Sequence, residues 1–273
     1  MKEFLKKKIS LKMPLNSTYY QVDLDQKFHV MQASRKSYYK KALSKLTFNE
    51  LCILFKTDKA TLYEDIIYNV KKKKYVRSLI AGHGYSQYYE KIKKDKIKNL
   101  IEIGSYKGAS GLVFSAYFQN AKIFCLDISF KLNKLKYKNS KKILLDQSNI
   151  DSLKKFVREN KLTKKIDLIS DDGAHLDKHI MNSFETLFPN ISKGGYYFIE
   201  DIDLKRTKKV YDFFKGNKNH KYKDIKKIDI FKSNINKSTQ SKAPQNYLII
   251  IKKKINLSGF WKYILLCNFL FFF

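Results

Sequence analysis

Three acidic residues and a histidine carry the strongest chemical signal in the sequence. Asp172 closes the apolar run KIDLISDDG (Lys165 to Gly173), and Glu200 and Asp201 close the run GGYYFIEDI (Gly194 to Ile202). If these runs form neighbouring strands, three carboxylates converge. Such a cluster repels itself unless a cation sits in it, and hard oxygen ligands favour Mg²⁺, Mn²⁺ or Ca²⁺ over zinc. The plain alternative, in a chain this rich in lysine, is that the carboxylates cap helices and pair with lysines. His175 follows Asp172 by three residues and opens a stretch whose Leu176, Ile180, Phe184 and Leu187 have helical spacing. A neutral imidazole there is placed to take a proton, which makes His175 and Asp172 the candidate catalytic pair. His179, one turn on, would share that helix face, either as a structural residue or as a substrate contact.

Other apolar runs end in polar residues of equal interest. KNLIEIG leads into Glu102-Ile-Gly104-Ser-Tyr-Lys-Gly108-Ala-Ser-Gly111, a strand, a glycine turn and a helix start. Gly104 and Gly108 would let the backbone approach a ligand closely. The spacing is not GxGxxG and no GxxxxGK[ST] is present, so a dinucleotide or P-loop reading is poor. Asp127 ends AKIFCLDIS, where a carboxylate can accept hydrogen bonds from the two vicinal hydroxyls of a ribose or can cap a helix. Asp146-Gln147-Ser148 ends KKILLDQS, a polar trio able to hold an adenine edge or to cap a loop.

The elements that must position these residues follow from the pattern. From Ile97 onward, five short apolar runs alternate with helical stretches such as Asp151 to Asn160, and KKIDIFKS and QNYLIIIKK add a sixth and seventh run. This predicts an α/β fold, a doubly wound seven-stranded sheet with helices on both faces and a closing hairpin. Ligands bind outside the carboxyl ends of the strands in such sheets, where the acidic residues fall. Three regions are expected: a basic, mostly helical N-terminal extension over 1–47, a catalytic domain over 48–254, and an aromatic, hydrophobic tail over 255–273. The tail, FWKYILLCNFLFFF from Phe260, is too short to span a bilayer, which needs ~20 apolar residues. An interfacial anchor is one reading of it, giving peripheral membrane contact, and packing on the domain or a partner is another.

The 273 residues include 56 Lys+Arg against 25 Asp+Glu, a formal net charge of +31. Only Arg35, Arg77, Arg158 and Arg206 are arginines, and Lys lacks the bidentate fork of Arg. The same sequence is heavy in Ile, Asn, Tyr and Phe, residues that A/T-rich codons supply, so coding bias would account for much of the charge. No base-stacking or zinc signature accompanies it, and a nucleic-acid partner is not expected. Cys52, Cys125 and Cys267 lie far apart without a CxxC pair, which argues against a disulfide scaffold and fits a reducing cytoplasm. The N-terminus is basic but lacks an apolar h-region, so it does not read as a signal peptide. The Lys71 to Lys74 run reads first as a solvated face.

The strand-end set Glu102, Gly104, Gly108, Asp127 and Asp146 resembles the S-adenosylmethionine site of the class I methyltransferases. The stretch ISDDGAHLDKHIMNSFETLFPNISKGGYYFIEDID, Ile169 to Asp203, narrows the resemblance to the metal-dependent sugar O-methyltransferases of the mycinamicin and tylosin deoxysugar type. FNELCILFKTDK (Phe48 to Lys59) and GHGYSQYYE (Gly82 to Glu90) look like that family's lead-in, with an insertion from about Ala60 to Ala81 between them. The resemblance covers about Phe48 to Asp203 and implies a Rossmann-like methyltransferase fold with S-adenosylmethionine as cofactor. It implies cofactor contacts at Glu102, Gly104, Gly108, Asp127, Asp146, Gln147, Asp171 and Tyr85, the last closing with His83 over the methionine end. It also implies Mg²⁺ or another divalent ion on Asp172, Glu200 and Asp201.

The reaction expected from this pattern is metal-assisted methyl transfer to a sugar hydroxyl of a glycan or glycosylated metabolite, with His175 as general base. Methylation of a catechol or other vicinal diol is the rival enzyme reading, and a basic RNA- or membrane-binding module on the same fold is the rival outside enzymology. The pattern leaves a homo-oligomer open.

Overall fold

The computed structural model describes residues 43–69, 74–130, 137, 139–217, 222–233 and 246–255. All seven expected runs become strands of one sheet: β3 (Asn99–Ile103), β4 (Lys122–Asp127), β5 (Ser140–Leu144), β6 (Ile166–Asp171), β7 (Ile191–Ile202), β8 (Ile225–Lys232) and β9 (Tyr247–Lys253), in the order β5-β4-β3-β6-β7-β9-β8. The first five are parallel, and β9 runs antiparallel to both β7 and β8, the closing hairpin. The central strands β3 and β6 are buried on both faces, as a parallel sheet covered by helices requires. The edge strands β5 and β8 carry exposed lysines instead, which discourages pairing with a further chain.

Alternation along the strands divides the core in two. On one face α1 (Phe48–Phe55), α2 (Ser86–Tyr89) and α3 (Ala109–Tyr117) pack over Leu100, Ile123, Leu168, Phe198 and Ile250. On the other, α4 (Ile150–Glu159), α5 (Asp177–Leu187) and α6 (Leu204–Asn217) pack over Ile101, Phe124, Ile169, Tyr197 and Ile249. Helix starts are locally encoded. Thr47 and Glu50 form a capping box on α1, and Asn149 accepts from Ser152 N at the head of α4.

The insertion between the two lead-in motifs is an antiparallel hairpin, β1 (Leu62–Asn69) and β2 (Lys74–Ala81), paired from Leu62↔Ala81 to Asn69↔Lys74. Lys71 to Lys73 lie outside the described residues, as do 1–42 and 256–273, so the helical extension and the hydrophobic tail are not described beyond their inner ends. Leu43 and Leu46, just upstream of the expected boundary at 48, are buried in the first core cluster. Among the described residues no helix is long and apolar enough to cross a membrane.

Candidate active site

The chain winds outward from β3 through β4 to β5, then returns to β6 and β7 on the other side of β3. The crevice at the carboxyl ends of β3 and β6 is therefore the topological switch point. Gly104 is the joint there. Its φ is +81°, and a Cβ on it would lie 2.0 Å from the Asp172 carbonyl oxygen, so only glycine lets the two strand ends meet.

One wall of the crevice is the β3–α3 turn. Glu102 lies beneath it, fully buried, accepting from the hydroxyls of Ser105 (2.9 Å) and Ser110. Burial pushes its carboxyl above the usual range, against those hydroxyls and the field of Lys59. Gly108, at φ +82°, caps α3. Asp127 accepts from Tyr106 N (2.7 Å) on one oxygen and Ser129 N (3.0 Å) on the other, which fixes its carboxylate at the strand end with a second lone pair on each oxygen. Glu102, Gly104, Gly108 and Asp127 are thus brought together.

The other expected cofactor residues are placed differently. Asp146 is exposed and holds Ser148 N (2.8 Å) in a local turn, and that bond keeps its carboxyl below the usual range. Gln147 is buried with both ends of its amide engaged: Oε1 accepts from Ala174 N (2.8 Å) and Nε2 donates to Asp171 (3.2 Å). Asp171 in turn accepts from Ser183 (2.7 Å) and Tyr197 (2.8 Å), tying β6 to α5 and β7. Both side chains brace the wall from inside, because Asp171 falls on the strand face opposite the crevice cluster. The Tyr85 hydroxyl, expected over the cofactor, donates to Asp201 Oδ1 at 2.9 Å.

The opposite wall holds the carboxylates. A lysine stands among them. Lys59, 1% exposed, places Nζ 2.7 Å from Asp172 Oδ2 and 2.5 Å from Glu200 Oε2. Desolvation opposes the ammonium charge, but Asp172 and Glu200 outweigh it and hold Lys59 protonated. The second oxygen of Glu200 accepts from Tyr89 and from Ser170 (2.7 Å), so this carboxylate has no free side. Asp172 and Glu200 are therefore lysine partners, the plain alternative for strand-end acids. In this structure the Lys59 ammonium stands between two of the expected metal ligands, Asp172 and Glu200, and Asp201 alone of the three stays out of that pairing.

Asp201 instead faces Asp58 and His83, its Oδ1 3.1 Å from His83 Nδ1, while His83 Nε2 is 3.7 Å from Asp58 Oδ2. Burial pushes the Asp201 carboxyl up, and His83 opposes the shift. Lys59 and Asp58 carried no signal in the sequence beyond their lead-in motif; one lysine among so many is distinguished only by its burial.

His175 sits two residues before α5, at φ 52°, and not in its first turn, so the expected shared face with His179 is absent. Its Nδ1 lies 3.2 Å from the Glu200 carbonyl oxygen. A carbonyl only accepts, so Nδ1 donates there; in the neutral ring the lone pair is then on Nε2, which lies 3.9 Å from Asp172 Oδ1. His175 and Asp201 (φ 55°), neighbours on the same wall, both have left-handed backbone.

Residues 101–202 match the sequence family described as "Methyltransferase domain". Among curated relatives, the mycinamicin VI 2''-O-methyltransferase of Micromonospora griseorubida is 29% identical over 126 residues, 43% of this chain and 30% of that protein. The demethylmacrocin O-methyltransferase of Streptomyces fradiae is 24% identical over 168 residues, 59% of this chain and 40% of that protein. These matches span well under half the length of the relatives. The solved MycE methyltransferase from the mycinamycin pathway, in complex with Mg, SAH and mycinamycin VI, superposes with TM-score 0.55 at 18% identity, over 88% of this chain and 66% of that one. That likeness establishes the α/β methyltransferase fold for the domain, with its seven-stranded mixed sheet.

Proposed function

We propose that the chain is an S-adenosylmethionine-dependent O-methyltransferase whose acceptor is a sugar hydroxyl of a glycan or glycosylated metabolite. The observation that carries the proposal is the Asp127 carboxylate held at the end of β4 together with a His175 ring whose Nδ1 meets the Glu200 carbonyl and whose Nε2 faces Asp172. The methyltransferase domain and the sugar O-methyltransferases among its relatives support the same reading.

S-adenosylmethionine would supply a methyl group already activated on a sulfonium. The chain's own task is then to hold an acceptor hydroxyl in line and remove its proton. Asp127 can accept from both ribose hydroxyls, and the Gly104–Gly108 turn leaves the backbone open to the rest of the cofactor. At the acceptor side His175 Nε2 takes the hydroxyl proton as the oxygen–carbon bond forms and the carbon–sulfur bond breaks. Asp172, 3.9 Å from that nitrogen and held by its ion pair with Lys59, would face the resulting imidazolium.

Calorimetric titration of S-adenosylhomocysteine tests the cofactor half. Micromolar binding is expected, weakened about 10- to 100-fold in Asp127→Ala, the loss of a charge-assisted pair of bonds. His175→Ala should bind as wild type yet lose about 10²- to 10⁴-fold in methyl transfer to a glycoside acceptor. Absence of binding, or full activity in His175→Ala, refutes the reading.

A further inference from the structure

We propose that the rim formed by the amino ends of the parallel strands, at the far end of the sheet from the crevice, is a docking face for an anionic lipid bilayer. The inference stands apart from the methyl-transfer reading and does not need it.

Strands β3 to β7 and β8 begin at this rim, and antiparallel β9 ends there. Six neighbouring strands each bring an exposed lysine to it: Lys122 at the start of β4, Lys98 before β3, Lys165 before β6, Lys193 near the start of β7, Lys254 after β9 and Lys226 in β8. Hydrogen bonds between the strand ends join them into one row. Lys122 N donates to Lys98 O (2.7 Å), Asn99 Nδ2 to Lys165 O (2.9 Å), Gly194 N to Lys254 O (3.3 Å) and Lys254 N to Asp224 O (2.8 Å). At the ordinary spacing of strands the row is roughly 25 Å long. The acid at its middle is already engaged: Asp167 accepts from Lys98 N (2.8 Å), Asn99 N (2.9 Å) and the Ser192 hydroxyl (2.6 Å).

Coding bias accounts for how many lysines the chain has, not for where they fall. Asp127, Asp172, Glu200 and Asp201 stand at the opposite ends of the same strands, so the acids and the lysine row face opposite ways along the sheet. A molecule polarised in this way turns its lysine row toward an anionic surface. Apolar chain leaves from the same place. Ile255, directly after Lys254, is 55% exposed, and the sequence beyond it runs into FWKYILLCNFLFFF from Phe260. Lysines held in the negative potential of a headgroup layer and aromatic and aliphatic side chains that enter it are the paired requirements of peripheral membrane attachment. A polyanion such as RNA would answer the charge and leave the apolar residues without a partner. Docking by this rim leaves the crevice open to the aqueous side.

The test is co-sedimentation of the full chain with vesicles of phosphatidylcholine alone and of phosphatidylcholine mixed with phosphatidylglycerol. Binding to the anionic vesicles is expected to be at least about tenfold tighter and to weaken steeply as salt is added. Lys165→Glu combined with Lys193→Glu should weaken it at least about tenfold. Lys178→Glu combined with Lys205→Glu makes the same change of net charge on exposed helix positions at the crevice end, and a much smaller loss is expected. Circular dichroism of both double variants reads the fold, and the salt series on the unaltered chain needs no variant at all. Equal loss in the two double variants would show that net charge and not this rim is read, which overturns the inference. Equal binding to neutral and anionic vesicles, as the apolar segment alone would give, overturns it too. So does a single-stranded RNA that binds more tightly than the anionic vesicles with the same dependence on Lys165 and Lys193.

Discussion

Lys59 Nζ lies 2.5 Å from Glu200 Oε2, and both side chains are 1% exposed, so an ion pair linking residues from opposite ends of the domain is sealed inside it. A buried pair of this kind is weak evidence of net stabilisation, but removing one partner leaves an uncompensated charge in a dry site. Lys59→Met is expected to cost about 3–5 kcal/mol, read by equilibrium urea unfolding. Adding Glu200→Gln to that variant should recover part of the loss. A single-variant cost under about 1 kcal/mol would mean that water reaches the pair.

Gly104→Ala tests the junction at the switch point. The new Cβ would meet the Asp172 carbonyl oxygen at 2.0 Å, backbone that cannot swing aside as a side chain does. Positive φ adds strain of about 1–3 kcal/mol before the clash is counted. Melting should fall by several degrees at least, and S-adenosylhomocysteine binding should fail because β3 and β6 must part. Gly111→Ala is the contrast: its Cβ meets only side-chain atoms, Cys125 Sγ and Glu102 Oε2, at 3.2 Å, and a much smaller loss is expected.

Glu102 ties stability to pH. Burial raises its carboxyl above the usual range in the fold, while the unfolded chain releases that proton near pH 4.3. Between those two values the folded state binds more protons, so stability falls as pH rises. The Glu102 contribution is fully present below the unfolded value and lost as pH climbs through the folded one. Urea midpoints measured from about pH 4 to pH 8 should decline in the wild type and decline less in Glu102→Gln. Parallel profiles would show that Glu102 titrates normally in place.

The seven strands, the helices between them and the closing hairpin were legible in the chain itself, because apolar runs of strand length bounded by turns are a local signal. Acid residues at strand ends were legible for the same reason. In the case of Asp127, Asp172 and Asp201, position at a run's end already implied position at the crevice. Which way each side chain points, and what meets it there, was decided only by the tertiary structure. Asp171 and Asp172 are adjacent, yet one braces α5 and the other pairs with Lys59 across the crevice, since neighbouring residues of a strand face opposite sides. The His175 backbone left the helix its spacing suggested. Lys59, Asp58 and His83 came to the site from more than 80 residues away in sequence, through a hairpin that the chain showed only as an insertion. Charge at a position is local information. Desolvation of that charge, which turns one lysine among many into the centre of a site, exists only once the fold has closed around it.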